Sequence, residues 1–229
     1  MTESAVLRGL EAQLAARRER LAAGERGIGW KIGLNVPFVQ ERLGISSPVI
    51  GFMTDAGLLA SGASYSTGGT TMVAIEPEVA LHIAADVGAG AGDEQARAAI
   101  GAIGAAIEVV DIDLPFDDVE PILAGNVFHR AVVLGDPAPE RAGGDLGGVS
   151  VRVERGGEVE HEAPDAAAAG DPAAVVRLVA DLLAEAGERL RAGETIIAGS
   201  LTPPVAVSAG DSVRVELGAL GALTLDLVA

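Results

Sequence analysis

The stretch Met72-Val73-Ala74-Ile75-Glu76-Pro77-Glu78-Val79-Ala80-Leu81-His82-Ile83 decides how the rest of the chain is read. It is an apolar run broken by two carboxylates set two residues apart. Side chains alternate between the faces of a β-strand, so residues i and i+2 point the same way. Glu76 and Glu78 therefore project together, about 6 to 7 Å apart at their Cα atoms by strand rise. Burying two like charges side by side is costly unless a positive group joins them. A hard divalent cation meets that need, because it takes oxygen ligands. A third carboxylate in apolar company, Glu108, stands in Ala105-Ala106-Ile107-Glu108-Val109-Val110-Asp111. Three carboxylates from two strands would make a Mg²⁺ or Mn²⁺ site with open positions for a ligand. The competing reading is a solvated sheet face, with Pro77 marking an edge strand or a bulge. His82 shares the face by parity and is the only histidine that could join the set.

The wider composition narrows the function. The 229 residues carry a net charge of −17, which argues against nucleic acid and anionic membranes as partners. It also disfavours an anionic substrate, unless a cation reverses the local field. The chain is 49% hydrophobic but only 3% aromatic, so its core is built from Ala, Val, Leu and Ile. Cys is absent, which excludes disulfides, thiol catalysis and thiolate metal sites. No apolar run reaches the length of a membrane span, and the first residues form a charged amphipathic stretch rather than a signal peptide. A cytoplasmic location is expected.

Of the 16 Lys plus Arg residues, Lys31 is the only lysine. Everywhere else the chain uses Arg for positive charge. A compact ammonium can fit a small pocket and change protonation state, which a guanidinium cannot. Lys31, in Gly29-Trp30-Lys31-Ile32-Gly33-Leu34, is therefore a candidate catalytic group.

In chain order, the periodicity predicts an amphipathic helix over residues 3–23 with Leu7, Leu10, Leu14 and Leu21 on one stripe. A short strand at 29–34 leads into a short helix that Gly44 ends. Residues 61–71, rich in Gly, Ser and Thr, read as a mobile loop placed like a lid before the Glu76 strand. A helix from Asp93 is expected to carry Ala96, Ile100 and Ile103 on one face. The Glu108 strand, a short helix over 116–124 and a strand over 127–134 follow. A hairpin turns at Gly156-Gly157, and Asp171-Pro172 starts a helix running to about Leu190. Strands close the chain at 194–198, 212–217 and 222–228. Many short strands with few helices mean α+β rather than an alternating wrap. The expected division is an N-terminal helical segment, 1–27, and a catalytic body, 28–229.

The ordered set Trp30–Leu34, Ser47-Pro48-Val49-Ile50-Gly51, Glu76-Pro77-Glu78, Ala106–Asp111, Gly199-Ser200-Leu201-Thr202 and Ala209-Gly210-Asp211 resembles the fumarylacetoacetate hydrolase superfamily. Within it, the set is most similar to the 2-hydroxypentadienoate (2-keto-4-pentenoate) hydratase and 4-oxalocrotonate decarboxylase branch. The resemblance implies a mixed β-sandwich roll with flanking helices. It implies a divalent metal, Mg²⁺ or Mn²⁺, on Glu76, Glu78 and Glu108, with Lys31 as the catalytic residue. It places Gly199, Ser200, Thr202, Asp55 and Asn126 with the substrate, a small 2-oxo or 2-hydroxydienoic acid. Lys31 would hydrogen-bond the enolate or shuttle a proton. Hydratases of the branch tend to carry an acid where this chain has Val49. Decarboxylases tend to have an apolar residue there, followed by a run like Gly51-Phe52-Met53-Thr54-Asp55. The usual Ala-Asp-Asn is here Ala124-Gly125-Asn126, and the small polar residues after it are replaced by Val127-Phe128-His129.

The main expectation is a metal-dependent lyase in aromatic-compound breakdown, a hydratase or a decarboxylase. An acylpyruvate-type C–C hydrolase would want a water-activating His-Glu pair near the N-terminal loop, and the sequence shows none there. A lyase-like partner subunit without activity is the non-enzymatic alternative. Assembly into a homo-oligomer is expected.

Overall fold

In chain order the elements are α1 (Thr2–Ala22), β1 (Gly27–Gly33), α2 (Pro37–Leu43), β2 (Val49–Thr54), β3 (Leu58–Leu59), β4 (Ala63–Ser66), β5 (Val73–Ile83), α3 (Asp93–Ala99), β6 (Ile100–Asp111), α4 (Val119–Ala124), β7 (His129–Leu134), β8 (Val151–Arg155), β9 (Glu158–Ala163), α5 (Pro172–Glu185), β10 (Thr195–Ile197), β11 (Val205–Ala206), β12 (Ser212–Glu216) and β13 (Ala222–Val228). The computed structural model describes residues 2–229, the side chains of residues 2, 3 and 167 excepted. Met1 of the expected N-terminal segment lies outside the described residues.

Strands β5 and β6 pair antiparallel along their whole length, with Glu76 opposite Glu108 and Glu78 opposite Ala106. Both are near-continuous apolar runs because both of their faces are covered. They form the middle of a mixed sheet ordered β2-β1-β10-β5-β6-β7-β3, with β11 added on β5. One face of this sheet, with Trp30, Ile75, Leu81 and Ile107, shares a core with Val153, Val213 and Leu225 of a second sheet. That second sheet is ordered β4-β13-β12-β8-β9. Helix α5 joins the same core through Val176 and Leu183. Asp171 caps α5 by accepting from the Ala173 N–H, and Pro172 sits in the first turn. The architecture is the expected α+β sandwich roll.

The other face of the first sheet gathers Met53, Ala80, Ala106, Val132 and Ile197 from five strands into a separate small cluster. Residues on one face of a flat sheet could not all meet in this way. The sheet is curled, bringing β2 toward β7. The inside of the curl is narrow, which suits alanine at its middle strands.

Strand β2 is the edge of this sheet, and an exposed edge is a liability. Here side-chain amides cover it. Asn126 Oδ1 accepts from the Phe52 N–H at 2.8 Å, and Asn126 Nδ2 donates to the Phe52 carbonyl at 2.9 Å. Gln13 Nε2, from α1, donates to the carbonyls of Ile50 and Leu123, each at 3.0 Å. Leu10 and Leu14 of α1 enter the main core, while Leu7 of the expected stripe is exposed. The N-terminal helix is thus packed into the body.

Four expectations change. Residues 61–71 are not a lid: Ala63–Ser66 form β4, which pairs parallel with β13 on the second sheet. The alternation Ala63-Ser64-Tyr65-Ser66 turns Ala63 and Tyr65 to the core. Helix α3 stops at Ala99, and Ile100 and Ile103 belong to β6, where pairing with β5 overrides helical spacing. Helix α5 ends at Glu185 rather than near Leu190, because Gly187 takes a positive φ of 74°. Finally, Pro77 lies on a central strand, not an edge. Its carbonyl accepts from the Leu201 N–H at 2.8 Å, so its side of β5 faces the loop between β10 and β11. The missing donor of proline falls where β5 has no strand neighbour.

Candidate active site

Strand parity sends Lys31, Glu76, Glu78 and Glu108 to the inside of the curl. One ligand oxygen from each of Glu76, Glu78 and Glu108 lies within 4.8 Å of the others. Glu78 and Glu108 are fully buried, and Glu76 is partly buried, facing a cavity. Lys31 is 3% exposed, and its Nζ lies 3.1 Å from Glu108 Oε1. Strand β1 brings it there by pairing with β2 on one side and β10 on the other. A Cβ on Gly33 would come within 2.6 Å of Val127 Cγ1 and 3.1 Å of Lys31 Nζ, so glycine keeps the ammonium's path open.

The oxygens divide into held and free. Glu108 Oε1 receives Lys31 and also His129, whose Nδ1 is 2.7 Å away. The Gly199 N–H donates to Glu78 Oε2 at 2.7 Å. Glu78 Oε1 and Glu108 Oε2 are buried and have no hydrogen-bond partner. Buried oxygens of this kind are rare unless something else binds them. Two orphaned oxygens and a third carboxylate at one point fit an all-oxygen site for a hard divalent ion.

The electrostatics agree. Burial, and then the charge of Glu108, push the Glu76 carboxyl up to about 7. Burial and the neighbouring Glu108 and Glu76 push Glu78 well above the usual carboxylate range. Burial opposes ionisation of Glu108 too, but Lys31 and His129 outweigh it and hold Glu108 down at about 2. Burial alone would lower Lys31, yet Glu108, Glu76 and Glu78 overcome it and raise the ammonium above its ordinary value. A cluster with two carboxylates forced toward neutrality is one that added positive charge would relieve.

The cavity above the cluster has a volume of about 620 Å³. Lys31, Glu76, Ser200 and Thr202 line it, with Val39, Ile112, Phe116 and Phe128 among its apolar walls. Leu34, Val127 and Phe128 line it from left-handed backbone, at φ of 55°, 53° and 66°, and Asn126 joins them at 60°. Such conformations are sparse for non-glycine residues, most of all for β-branched valine. The Asn126 clamp on Phe52 holds this turn in place.

The remaining candidates fall out differently. Gly199 has φ of 97°, and a Cβ there would meet Asn35 Nδ2 at 2.5 Å. Its N–H is taken by Glu78, so it orients a carboxylate rather than a substrate. Ser200 and Thr202 reach the cavity, with their hydroxyls donating to the carbonyls of Thr202 and Pro203. Asn126 spends both ends of its amide on Phe52 and does not line the cavity. Asp55 sits at the far end of β2, bound to the Arg26 N–H and side chain at 2.8 Å. His82 is on the right face but about 13 Å along the strand from Glu78 by rise; it lies beside Thr195 instead. His129 is the residue that sequence reasoning passed over. Its signal was the departure Val127-Phe128-His129 itself.

The result is a curled α+β sandwich with two buried carboxylates, a partly buried third and one buried lysine gathered at one point. Residues 39–228 match the fumarylacetoacetate hydrolase C-terminal family, to which this chain belongs. Over 210 residues it is 30% identical to the 4-oxalocrotonate decarboxylase of Pseudomonas sp. (strain CF600), covering 90% of this chain and 79% of that one. It is 31% identical over 211 residues to the 2-keto-4-pentenoate hydratase of Burkholderia vietnamiensis, covering 89% and 79%. The 4-oxalocrotonate decarboxylase from Pseudomonas putida G7, solved with magnesium and adipate, has a TM-score of 0.86 to it at 28% identity, covering 94% of this chain and 83% of the other.

Proposed function

We propose that this protein is a divalent-metal-dependent lyase acting on small 2-hydroxydienoic or 2-oxo acids, in the manner of a 2-keto-4-pentenoate hydratase. The observation that carries the reading is the convergence of two orphaned buried oxygens, Glu78 Oε1 and Glu108 Oε2, with Glu76 and Lys31 at the floor of one cavity. The magnesium in the decarboxylase relative supports the choice of ion. Glu76, Glu78 and Glu108 would hold Mg²⁺ or Mn²⁺, which when bound supplies Lewis acidity to the carboxylate and 2-oxygen of the substrate.

The chain's own residues do the rest. Glu108 is fixed by Lys31 and His129, and Glu78 by the Gly199 N–H, so two ligands are aimed before anything binds. Lys31 Nζ, held protonated, donates a hydrogen bond to the developing enolate oxygen and is placed to hand a proton to the carbon chain. The apolar walls exclude bulk water and strengthen these interactions.

A decarboxylase is the second reading, favoured by Val49. This residue is buried at the start of β2, beside a neighbouring pocket rather than in the cavity wall, and offers no acid for handling water. We infer also that the chain works as an assembly of copies in the cytoplasm. No helix among the described residues is long and apolar enough to cross a membrane.

Calorimetric titration with Mg²⁺, with and without oxalate as a mimic of the acid head, tests the site. Saturable binding, tightened by oxalate and abolished in Glu108→Gln, is expected; unchanged affinity in that variant would refute the assignment. Hydration of 2-hydroxypenta-2,4-dienoate against CO₂ release from 4-oxalocrotonate then separates the two reactions.

A further inference from the structure

We propose that the cavity selects monoacids with a hydrocarbon tail, longer than a five-carbon acid, and rejects substrates with a second carboxylate. The inference deepens the reading above and rests on it: the acid head is taken to sit at the three carboxylates and Lys31.

With the head there, the cavity has no charge left for the other end. Among the described residues lining it, Lys31 and Glu76 alone are ionisable. Both belong to the head site. The Ser200 and Thr202 hydroxyls already donate to backbone carbonyls. The rest of the wall is dominated by Phe116 and Phe128, packed with ring centres 5.3 Å apart, and by Val39, Val110 and Ile112. Arg130, in the strand that follows Phe128, does not line the cavity; its guanidinium lies 2.8 Å from Asp113 and 3.8 Å from Asp111. A second carboxylate against this wall would lose its water and meet no cation; the Asn35 amide, which also lines the cavity, is an uncharged donor that does not replace that hydration. The net charge of −17 also works against a dianion at long range.

Size points the same way. At about 620 Å³ the cavity falls in the range that encloses ligands far larger than a five-carbon acid. Tail methylenes added against Phe116, Phe128 and Ile112 remove apolar surface from water, each worth about fourfold in affinity. The aromatic pair would stack against a conjugated diene or an alkyl chain equally well.

The test uses unreactive saturated acids that share one head. The Mg²⁺-loaded protein is titrated by calorimetry with oxalate, 2-oxohexanoate, 2-oxooctanoate and 2-oxoadipate. We expect 2-oxohexanoate to bind at least about 100-fold tighter than 2-oxoadipate. We expect 2-oxooctanoate to exceed 2-oxohexanoate by roughly tenfold or more, for its two further methylenes. Oxalate binding with 2-oxoadipate as tight as 2-oxohexanoate overturns this proposal and leaves the metal-lyase reading standing. Absence of any oxalate binding overturns that reading, and the proposal with it. Apolar surroundings can speed loss of a carboxylate held against them, so turnover is measured as well. A kcat/KM for 4-oxalocrotonate above that for 2-hydroxyhexa-2,4-dienoate overturns the proposal; the reverse order supports it.

Discussion

Glu108 Oε1 is ion-paired with Lys31 Nζ at 3.1 Å and accepts a hydrogen bond from His129 Nδ1 at 2.7 Å, the nitrogen being the donor because an ionised carboxylate can only accept. The pair fixes the carboxylate so that Oε2 is the oxygen left for a metal. His129 is thus a positioning residue. His129→Phe should loosen Mg²⁺ binding by about 10- to 100-fold. His129→Asn, whose amide stands where Nδ1 stood, should restore most of it. Calorimetric Kd values, read beside thermal melts of both variants, separate loss of positioning from loss of fold. Lys31 is 3% exposed with its Nζ 3.1 Å from Glu108 Oε1, so the larger guanidinium would need rearrangement to fit. Lys31→Arg should keep the charge yet lower kcat by about 100-fold or more. Full turnover in that variant would sink the argument from the lone lysine. Glu76 and Glu78 were readable because strand parity puts i and i+2 on one face. Glu108 stood out as a carboxylate alone in an apolar run and Lys31 as the one lysine, while the register of β1, β10, β5 and β6 brings the four to one face. His129 was not readable. Its approach to Glu108 depends on a register shift between Val109 and Val110 and on three successive left-handed residues before it. No local propensity favours either feature.

Among the elements, β2 shows how an edge strand is closed without another strand. The Asn126 amide satisfies both backbone groups of Phe52, and Gln13 reaches Ile50. Asn126→Ala would strand a buried N–H and a buried carbonyl and place alanine at φ of 60°. A loss of about 2 to 4 kcal/mol is expected, measurable by urea unfolding at constant m-value. Because the same turn carries Val127 and Phe128 into the cavity, KM should rise as well. The long strands were legible from their apolar runs and the helix starts from Asp and Pro. The short ones were not. Strand β4 is four residues among Gly, Ser and Thr, and only pairing with β13 makes it a strand. Ile100 and Ile103 fit a helical face as well as a strand, and the partner β5 decides between them.

Across the molecule, the acid cluster links stability to pH and to metal. Folding raises the Glu76 carboxyl from an ordinary 4.5 to about 7, so the folded state prefers it protonated. That preference is fully present below about 4.5 and is lost as pH rises through 7. Glu108, held at about 2, stays ionised in the folded state, and its own slope is confined to the acid end, near and below its ordinary 4.5. In EDTA, the wild type should therefore lose stability between pH 5 and 8 relative to Glu76→Gln, by at most about 3 kcal/mol. Saturating Mg²⁺ should reverse the trend, stabilising the wild type over Glu76→Gln increasingly as pH rises, because the ion takes the ionised carboxylate and the variant lacks that ligand; equal pH profiles in EDTA would show that Glu76 does not sit among its neighbours as described.

The single ε-amine of the chain is sealed at the floor of the cavity, 3% exposed. A surface free of lysine is silent to reagents that modify side-chain amines. Reductive methylation with isotopic formaldehyde would then tag one ε-nitrogen only, and would do so at the rate at which the roll opens. Protection by Mg²⁺ and oxalate would report occupancy of the site directly. The ε-methyl NMR resonance, set apart by its shift and pH response from that of the methylated α-amine, would follow the chemistry of the centre with no mutation made.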